Sequence, residues 1–330
     1  MGSKGKVVTK SFIISLDFEL FWGVRDTRGD EYFDTLKKVH DVVPQLLTLF
    51  AKYDVACTWA TVGALCAENF ETFIQHTPKQ VPSYESKVFS PFNDLDYLST
   101  IDSKVLFAPE LVKAIKKAKN QEFASHTFSH YYALEQGQTI EEFESDLVAC
   151  SEVIGKENIQ LQSLVFPRNQ FNPEYLKVCK NVGYTSFRGN PSHWAYKAES
   201  REKRSIVKRV FRLLDCYIPL SGSLRQQVKL DSDSGMVDVP ASIFFRPYSS
   251  KLSFLDGLKL WRLKWSMTRT AKKGGVFHLW WHPHNFGQNM AENLRQIEEL
   301  LKHYQVLNEK YNFKSLTMEQ AVSRFLEENK

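Results

Sequence analysis

The sequence predicts a distorted (β/α) barrel of the TIM-barrel kind, one unit over residues 1–330 with seven or eight strands. Two observations lead there. Short apolar runs rich in β-formers alternate along the chain with stretches of helical periodicity, the pattern of a parallel sheet wrapped by helices. Asp17, His126, Arg168, Arg188 and His282 each stand at or just past the C-terminal end of such a run, the edge on which barrel active sites are built. No repeat of fixed period, low-complexity segment or linker divides the chain.

Residues 12–16 (FIISL) read as a buried strand that ends in Asp17-Phe18-Glu19 and then Phe21, Trp22 and Gly23. Leu36, Val39, Val43, Leu46, Leu47 and Phe50 recur at helical spacing over 35–52. A second strand follows at 55–62 (VACTWATV). Residues 69–107 hold Pro78, Pro82 and Pro91 and follow neither period, so they are expected to form an irregular insertion near the mouth. A helix with proline in its first turn and lysines toward its end spans 109–119, and a short strand at 122–125 leads into His126. Thr139 with Glu142 forms a capping box that opens a helix to about Ile154.

Further strands are read at 163–166, before Pro167-Arg168-Asn169-Gln170, and at 185–187, before Arg188-Gly189-Asn190. Pro173 starts the helix between them. Residues 201–220 interleave Arg201, Lys203, Arg204, Lys208, Arg209 and Arg212 with Ile206, Val207, Val210, Phe211, Leu213 and Leu214, a basic helical segment. Such a helix either turns its apolar side to the barrel and its charges to water or lies on an anionic membrane surface. Strands at 236–241, 275–282 and 313–317 and a long amphipathic helix over 290–308 complete the alternation.

Composition narrows the class. An apolar fraction of 43% supports a sizeable core, and a net charge of +5 gives no ground for a nucleic-acid partner. Cys57, Cys66, Cys150, Cys179 and Cys216 are odd in number and widely spaced, which favours free thiols in a reducing compartment. The run Phe12-Ile13-Ile14 is too short for a secretory signal, and no stretch approaches the ~20 apolar residues of a membrane span. The expected location is therefore cytoplasmic, and peripheral at the inner face of the membrane only in the second reading of 201–220.

The chemistry centres on Ser125-His126-Thr127-Phe128-Ser129-His130. Two histidines four apart, on a helical turn or in a tight loop, project their rings to one side and can grip one transition metal. A carboxylate and an open water position would complete a catalytic centre. Asp17 and Glu19, two residues apart directly after a buried strand, either begin a surface turn or are costly there unless paired or metal-bound.

Taken together these motifs resemble the polysaccharide deacetylase family, the metal-dependent N-deacetylases of carbohydrate esterase family 4. The resemblance runs from about residue 12 to 320, with the motifs in family order. It implies Asp17 as general base, Glu19, His126 and His130 as metal ligands, Arg168 as the arginine that orients the base, and His282, before Pro283, as general acid. Glu19 stands where the family usually has aspartate, which leaves the roles of Asp17 and Glu19 exchangeable. His278 and His284 compete with His282, which Pro283 favours, and the family's Asp-Trp motif has no counterpart beyond His193-Trp194. Trp22, Trp280 and Trp281 stand near the proposed site and can stack on sugar rings or pack in the core; Trp22, Trp281 and His284 are the expected substrate contacts. A Zn ion is the expected cofactor, with Co, Ni or Fe as fitting substitutes.

The implied activity is removal of an N-acetyl group from an amino sugar in surface-polysaccharide or lipopolysaccharide assembly, the sugar being lipid- or nucleotide-linked. A deformylase or another C–N hydrolase of the same superfamily, and a non-catalytic glycan-binding module on the same fold, are the competing readings.

Overall fold

The computed structural model describes residues 10–155, 161–203 and 205–329. The strands are β1 (Lys10–Phe18), β2 (Cys57–Thr61), β3 (Gln121–Ser125), β4 (Ser163–Leu164) and β5 (Ser186–Phe187), then β6 (Lys229–Leu230), β7 (Val237–Asp238), β8 (Ile243–Phe244), β9 (Gly275–Trp281) and β10 (Lys314–Leu316). The longer helices are α1 (Val39–Lys52), α2 (Pro109–Lys117), α3 (Ile140–Gly155) and α4 (Pro173–Val182), then α5 (Ile206–Asp215), α6 (Asp256–Lys273), α7 (Met290–Tyr311) and α8 (Met318–Glu328).

The sheet runs β6-β7-β5-β4-β3-β2-β1-β9-β8, with β10 added beside the first half of β1. Every pairing is parallel except β6 with β7. Residues 237–244 form one bent stave: β7 pairs with β5 and β8 with β9. Between them Ala241 N donates to Gly189 O and Ser242 N to His278 O, so the ring is bridged where the sheet path ends. Counted this way there are seven parallel staves, a distorted (β/α) barrel, with β6 and β10 as short additions.

Alternation along β1 sets the interior. Phe12, Ile14, Leu16 and Phe18 point outward into the layer shared with the helices, and Ile13 belongs to a separate inner cluster with Ala60, Val165, Val239, Val276 and Leu316. Met318, Ala321 and Val322 of α8 close that inner cluster from below. The helix starts on a full capping box, Thr317 with Gln320. Above the apolar plug the inward positions turn polar (Ser15, Asp17), and this gradient places a buried polar chamber at the C-terminal end of the barrel.

Differences from the sequence reading have local causes. The basic segment 201–220 is helical only over α5, opening on a Ser205 cap, and Arg204 lies outside the described residues. Its apolar residues Ile206, Val207, Val210 and Leu214 face outward rather than onto the barrel. Residues 69–107 contain short helices at Phe70–Gln75, Leu95–Thr100 and Ser103–Leu106 and pack beside the turn that follows β1. Helix α6 was not anticipated because its buried face is half polar, with Lys259, Arg262, Ser266 and Thr270 at helical spacing among Leu263, Met267 and Ala271. No described helix is long and apolar enough to cross a membrane.

Arg262 is the most demanding of these residues. Its fully buried guanidinium donates to Asp215 O at 3.1 Å and Gly222 O at 2.8 Å and lies 3.7 Å from the buried Asp215 carboxylate. Replacing it with leucine strands that carboxylate, and a buried pair broken on one side typically costs about 3–5 kcal/mol. Urea unfolding of Arg262→Leu should show a loss of that size; wild-type stability would mean that Tyr196 and Ser221 alone satisfy Asp215.

Candidate active site

Glu19 is the point on which the chamber converges. The inward parity of Ser15 and Asp17 carries past the end of β1 to Glu19, which immediately precedes the 3-10 turn Leu20–Gly23. That turn needs glycine at its end: a Cβ on Gly23 would lie 2.0 Å from the Glu19 carboxyl carbon. One Glu19 oxygen, Oε2, lies 3.0 Å from His130 Nε2 and 3.4 Å from His126 Nε2. The other, Oε1, lies 3.6 Å from His282 Nε2 and 3.7 Å from His284 Nδ1.

The two histidines of the His-x-x-x-His stretch are brought together by a loop, not a helix. Thr127 and His130 both adopt left-handed backbone (φ 63° and 61°), which costs energy for non-glycine residues and persists only where surroundings enforce it. The enforcing group is Asp146 of α3, whose buried carboxylate accepts from Phe128 N at 2.6 Å and from Ser129 N and Oγ. Thr127 Oγ1 accepts from Tyr131 N at 2.8 Å. His126 Nδ1 donates to Val165 O at 2.7 Å, a bond that fixes the tautomer and leaves Nε2 as a free lone pair. Burial pushes His130 down to about 4, so its ring is neutral at ordinary pH. Glu19, His126 and His130 present ligand atoms that all lie within 4.8 Å of one another, and buried neutral imidazoles with one carboxylate suit a divalent transition metal. Glu19, His282 and His284 form a second such group on the opposite oxygen.

Asp17 is held by Arg188, at the end of β5. Arg188 Nη1 donates to Oδ1 at 2.6 Å and Nη2 to Oδ2 at 2.8 Å, a two-pronged contact between buried groups. Burial opposes the charge on Asp17, but the adjacent guanidinium outweighs it and keeps the carboxyl below the usual range. Arg188 also donates to Ser15 Oγ and Asn169 Oδ1, while Trp280 lies with its ring 4.4 Å from the guanidinium carbon. His278 Nε2 bonds Ser15 Oγ from behind at 2.8 Å, so it supports this network from the barrel interior.

Arg168 does not reach Asp17. Its backbone is left-handed (φ 55°), and its side chain turns to Asp26 and Glu135 and lies over the Tyr132 ring, 4.0 Å from the centroid. From the same Pro167-Arg168-Asn169 stretch it is Asn169 that faces the chamber. The sequence signal for Arg188 was only its place directly after the buried pair Ser186-Phe187, at the C-terminal edge of a strand.

His282 follows β9, and its side chain is partly open to solvent. Its Nε2 lies 3.7 Å from Asp17 Oδ2 and its Nδ1 3.2 Å from Asn285 Oδ1. His284 is buried against Tyr32, and burial pushes it down to about 3. Neither predicted tryptophan lines the chamber. Trp22 is fully buried and donates its indole N–H to Leu106 O at 2.7 Å. Trp281 points outward, stacked on Phe286, because side chains alternate along β9; its neighbour Trp280 points inward beside His282. His193 and Trp194 lie away from the chamber, against Phe211 of α5.

The sequence matches the family model described as polysaccharide deacetylase over residues 32–187. No curated protein matches it. Among solved structures the fold is similar to that of a Mycobacterium smegmatis protein assigned as a polysaccharide deacetylase. That match has 14% identity and a TM-score of 0.59, covering 98% of this chain and 92% of the other. The fold is also similar to that of a branching enzyme from Pyrococcus horikoshii, at 12% identity and a TM-score of 0.55, covering 97% of this chain and 70% of that one. At these identities the likeness speaks to fold alone.

The tight turn after β1 gives a direct test of the Glu19 site. Gly23→Ala should displace the Glu19 carboxylate and weaken divalent-metal binding about 10-fold or more, as expected when a ligand is badly placed. Calorimetric metal titration of the folded variant measures this, and unchanged affinity would remove Glu19 from the ligand set.

Proposed function

We propose that this chain, which matches the polysaccharide deacetylase family model over residues 32–187, is a metal-dependent hydrolase that removes the N-acetyl group from an amino sugar during surface-polysaccharide or lipopolysaccharide assembly. The observation that carries the reading is the buried set of Glu19, His126 and His130 directly beside an ionised Asp17, with His282 on the open side. Glu19, His126 and His130 would hold the metal; a bound divalent ion polarises the acyl oxygen and makes a neighbouring water more acidic.

The chain's own residues supply the rest. Asp17, kept charged by Arg188, takes the proton of the attacking water while the water oxygen bonds the acyl carbon. An amide nitrogen leaves poorly without a proton. His282 donates one as the C–N bond breaks, so acetate and the free amine are released. Arg188 takes the orienting role that the resemblance assigned to Arg168. Trp280, rather than Trp22 or Trp281, offers its ring to a sugar face, and His284 steadies Glu19 from the buried side. The sugar carrier is a lipid or a nucleotide, and the reaction is cytoplasmic, at the inner face of the membrane.

Metal content and turnover should separate in the acid variants. His126→Ala and His130→Ala are expected to lose most bound metal. Asp17→Asn should keep it and lose turnover, with Glu19→Gln the reverse in metal retention. His282→Ala should keep metal and lose about 10²–10⁴ in rate, the span of a general acid. Elemental analysis with acetate release from a panel of N-acetyl sugars reads both quantities. Metal lost in Asp17→Asn but kept in Glu19→Gln would exchange their roles.

The two arginines are distinguished by a milder change. Arg188→Lys keeps the charge but loses the fork, and misplacing the base should cost about 10²-fold in kcat. Arg168→Lys should cost less than about 10-fold. The opposite ranking would return the orienting role to Arg168.

A further inference from the structure

The excursion from the end of β5 carries an apolar surface that nothing described covers. Helix α5 leaves Ile206 74% and Val207 67% exposed, with Val210 and Leu214 also open, and Ile218 and Leu220 continue the strip beyond it. Its other face holds the contacts that fix it in place: Phe211 stacks on His193, and Lys208 pairs with Glu199 at 2.5 Å. A second apolar group lies at the start of α6, where Phe254 is 78% exposed beside Leu258 and Trp261. The buried Asp215–Arg262 contact ties the end of α5 to α6 close to Trp261.

Two features say what this surface meets. Residues 201–220 carry six Lys and Arg against two acids, and Lys203 and Arg209 stand exposed among the apolar side chains. Exposed apolar residues with Lys203 and Arg209 among them and exposed tryptophans nearby (Trp194, Trp261) match the chemistry of an anionic lipid surface rather than that of a neutral protein face. The second feature is position. Residues 199–201 are bound to the chamber rim: Glu199 O accepts from Gln170, Arg201 N donates to Glu135, and the Arg201 guanidinium lies 3.4 Å from Asp26. Both apolar groups follow the C-terminal ends of strands, β5 and β8, the end of the barrel that holds Asp17, Glu19 and His282.

We infer that α5 and the start of α6 form a docking surface for an anionic bilayer, which seats the chamber mouth toward the lipid headgroups. This deepens the proposed function by selecting a lipid-linked substrate, and it rests on that reading only for its purpose. Docking is read without turnover, and each can fail without the other.

The test is sedimentation with vesicles of phosphatidylcholine alone and with 30% phosphatidylglycerol. Binding is expected only with the anionic lipid and should fade as salt rises. Lys203→Gln with Arg209→Gln should lower partitioning about 30-fold, from about 1 kcal/mol per cation. Ile206→Ser with Val207→Ser should lower it at least 10-fold, with an unchanged circular dichroism spectrum and unchanged hydrolysis of a water-soluble N-acetyl sugar. No sedimentation at low salt would overturn the inference, as would serine variants that bind like wild type. A concentration-dependent dimer abolished by the same serine changes would instead assign the face to a second copy of the chain.

Discussion

The pair Asp17–Arg188 is the constraint around which the chamber is arranged. Taking two full charges out of water costs several kcal/mol per ion, and Coulomb attraction offsets that only when the geometry is close and the remaining polar atoms are satisfied. Here three parts of the ring contribute, and Arg188 Nε alone of its nitrogens is buried without a hydrogen-bond partner. Ser15 of β1 and Asn169, in the turn after β4, accept from Arg188; His278 of β9 braces Ser15, and the Trp280 ring of the same strand covers the guanidinium. Shifting any stave by one residue would turn its contribution to the other face of the sheet and leave a buried charge exposed to apolar surroundings. The same pair thus also fixes strand register at the C-terminal end of the barrel.

Strain collects on the side of Glu19 that faces the histidines. Thr127 and His130 hold left-handed backbone, and Leu20 does the same one residue past Glu19. Each costs free energy that only the surrounding structure can impose. Asp146 imposes it from α3 by accepting three hydrogen bonds from residues 128–129. Burial raises its carboxyl to about 6. A helix would have placed the two rings side by side at lower cost. The loop instead lets His126 bond Val165 O across to the strand 4 edge while His130 turns back to Glu19, so the two nitrogens approach one carboxylate oxygen from different directions.

Most of the fold was legible because the strands that build it are continuous apolar runs, and β1, β2, β3 and β9 fall where hydrophobicity and flanking polar residues put them. What escaped was information carried by parity and by polar burial. Choosing between Trp280 and Trp281, or Arg168 and Arg188, requires knowing which residues of a strand face inward, and a two-residue strand such as β5 gives no alternation to count. Arg168 also follows a proline turn with left-handed backbone, a conformation no propensity predicts for arginine. Helix α6 stayed hidden because the barrel receives Lys259, Arg262, Ser266 and Thr270 on the face where a pattern search looks for leucine. The acids and the histidine pair were found because buried carboxylates and paired imidazoles are expensive without a purpose.

That accounting also bears on α5. An apolar helix left in water is ordinarily a sign of local looseness, yet this one is fixed at both ends. Its leading segment is bound at residues 199–201 to Glu135, Asp26 and Gln170, and its trailing end is locked by Asp215, which accepts from Tyr196 and Ser221 and meets the buried Arg262. A chain that commits buried ion pairs and capped ends to holding a helix in place, while turning its isoleucine and valines outward, has not simply failed to bury them. The ties run to the rim of the chamber through Arg201 and Glu135, and Glu135 in turn holds Arg168 beside Tyr132, whose ring meets that of His130. The segment that leads into α5 and the ring of His130 are therefore two ends of one chain of contacts.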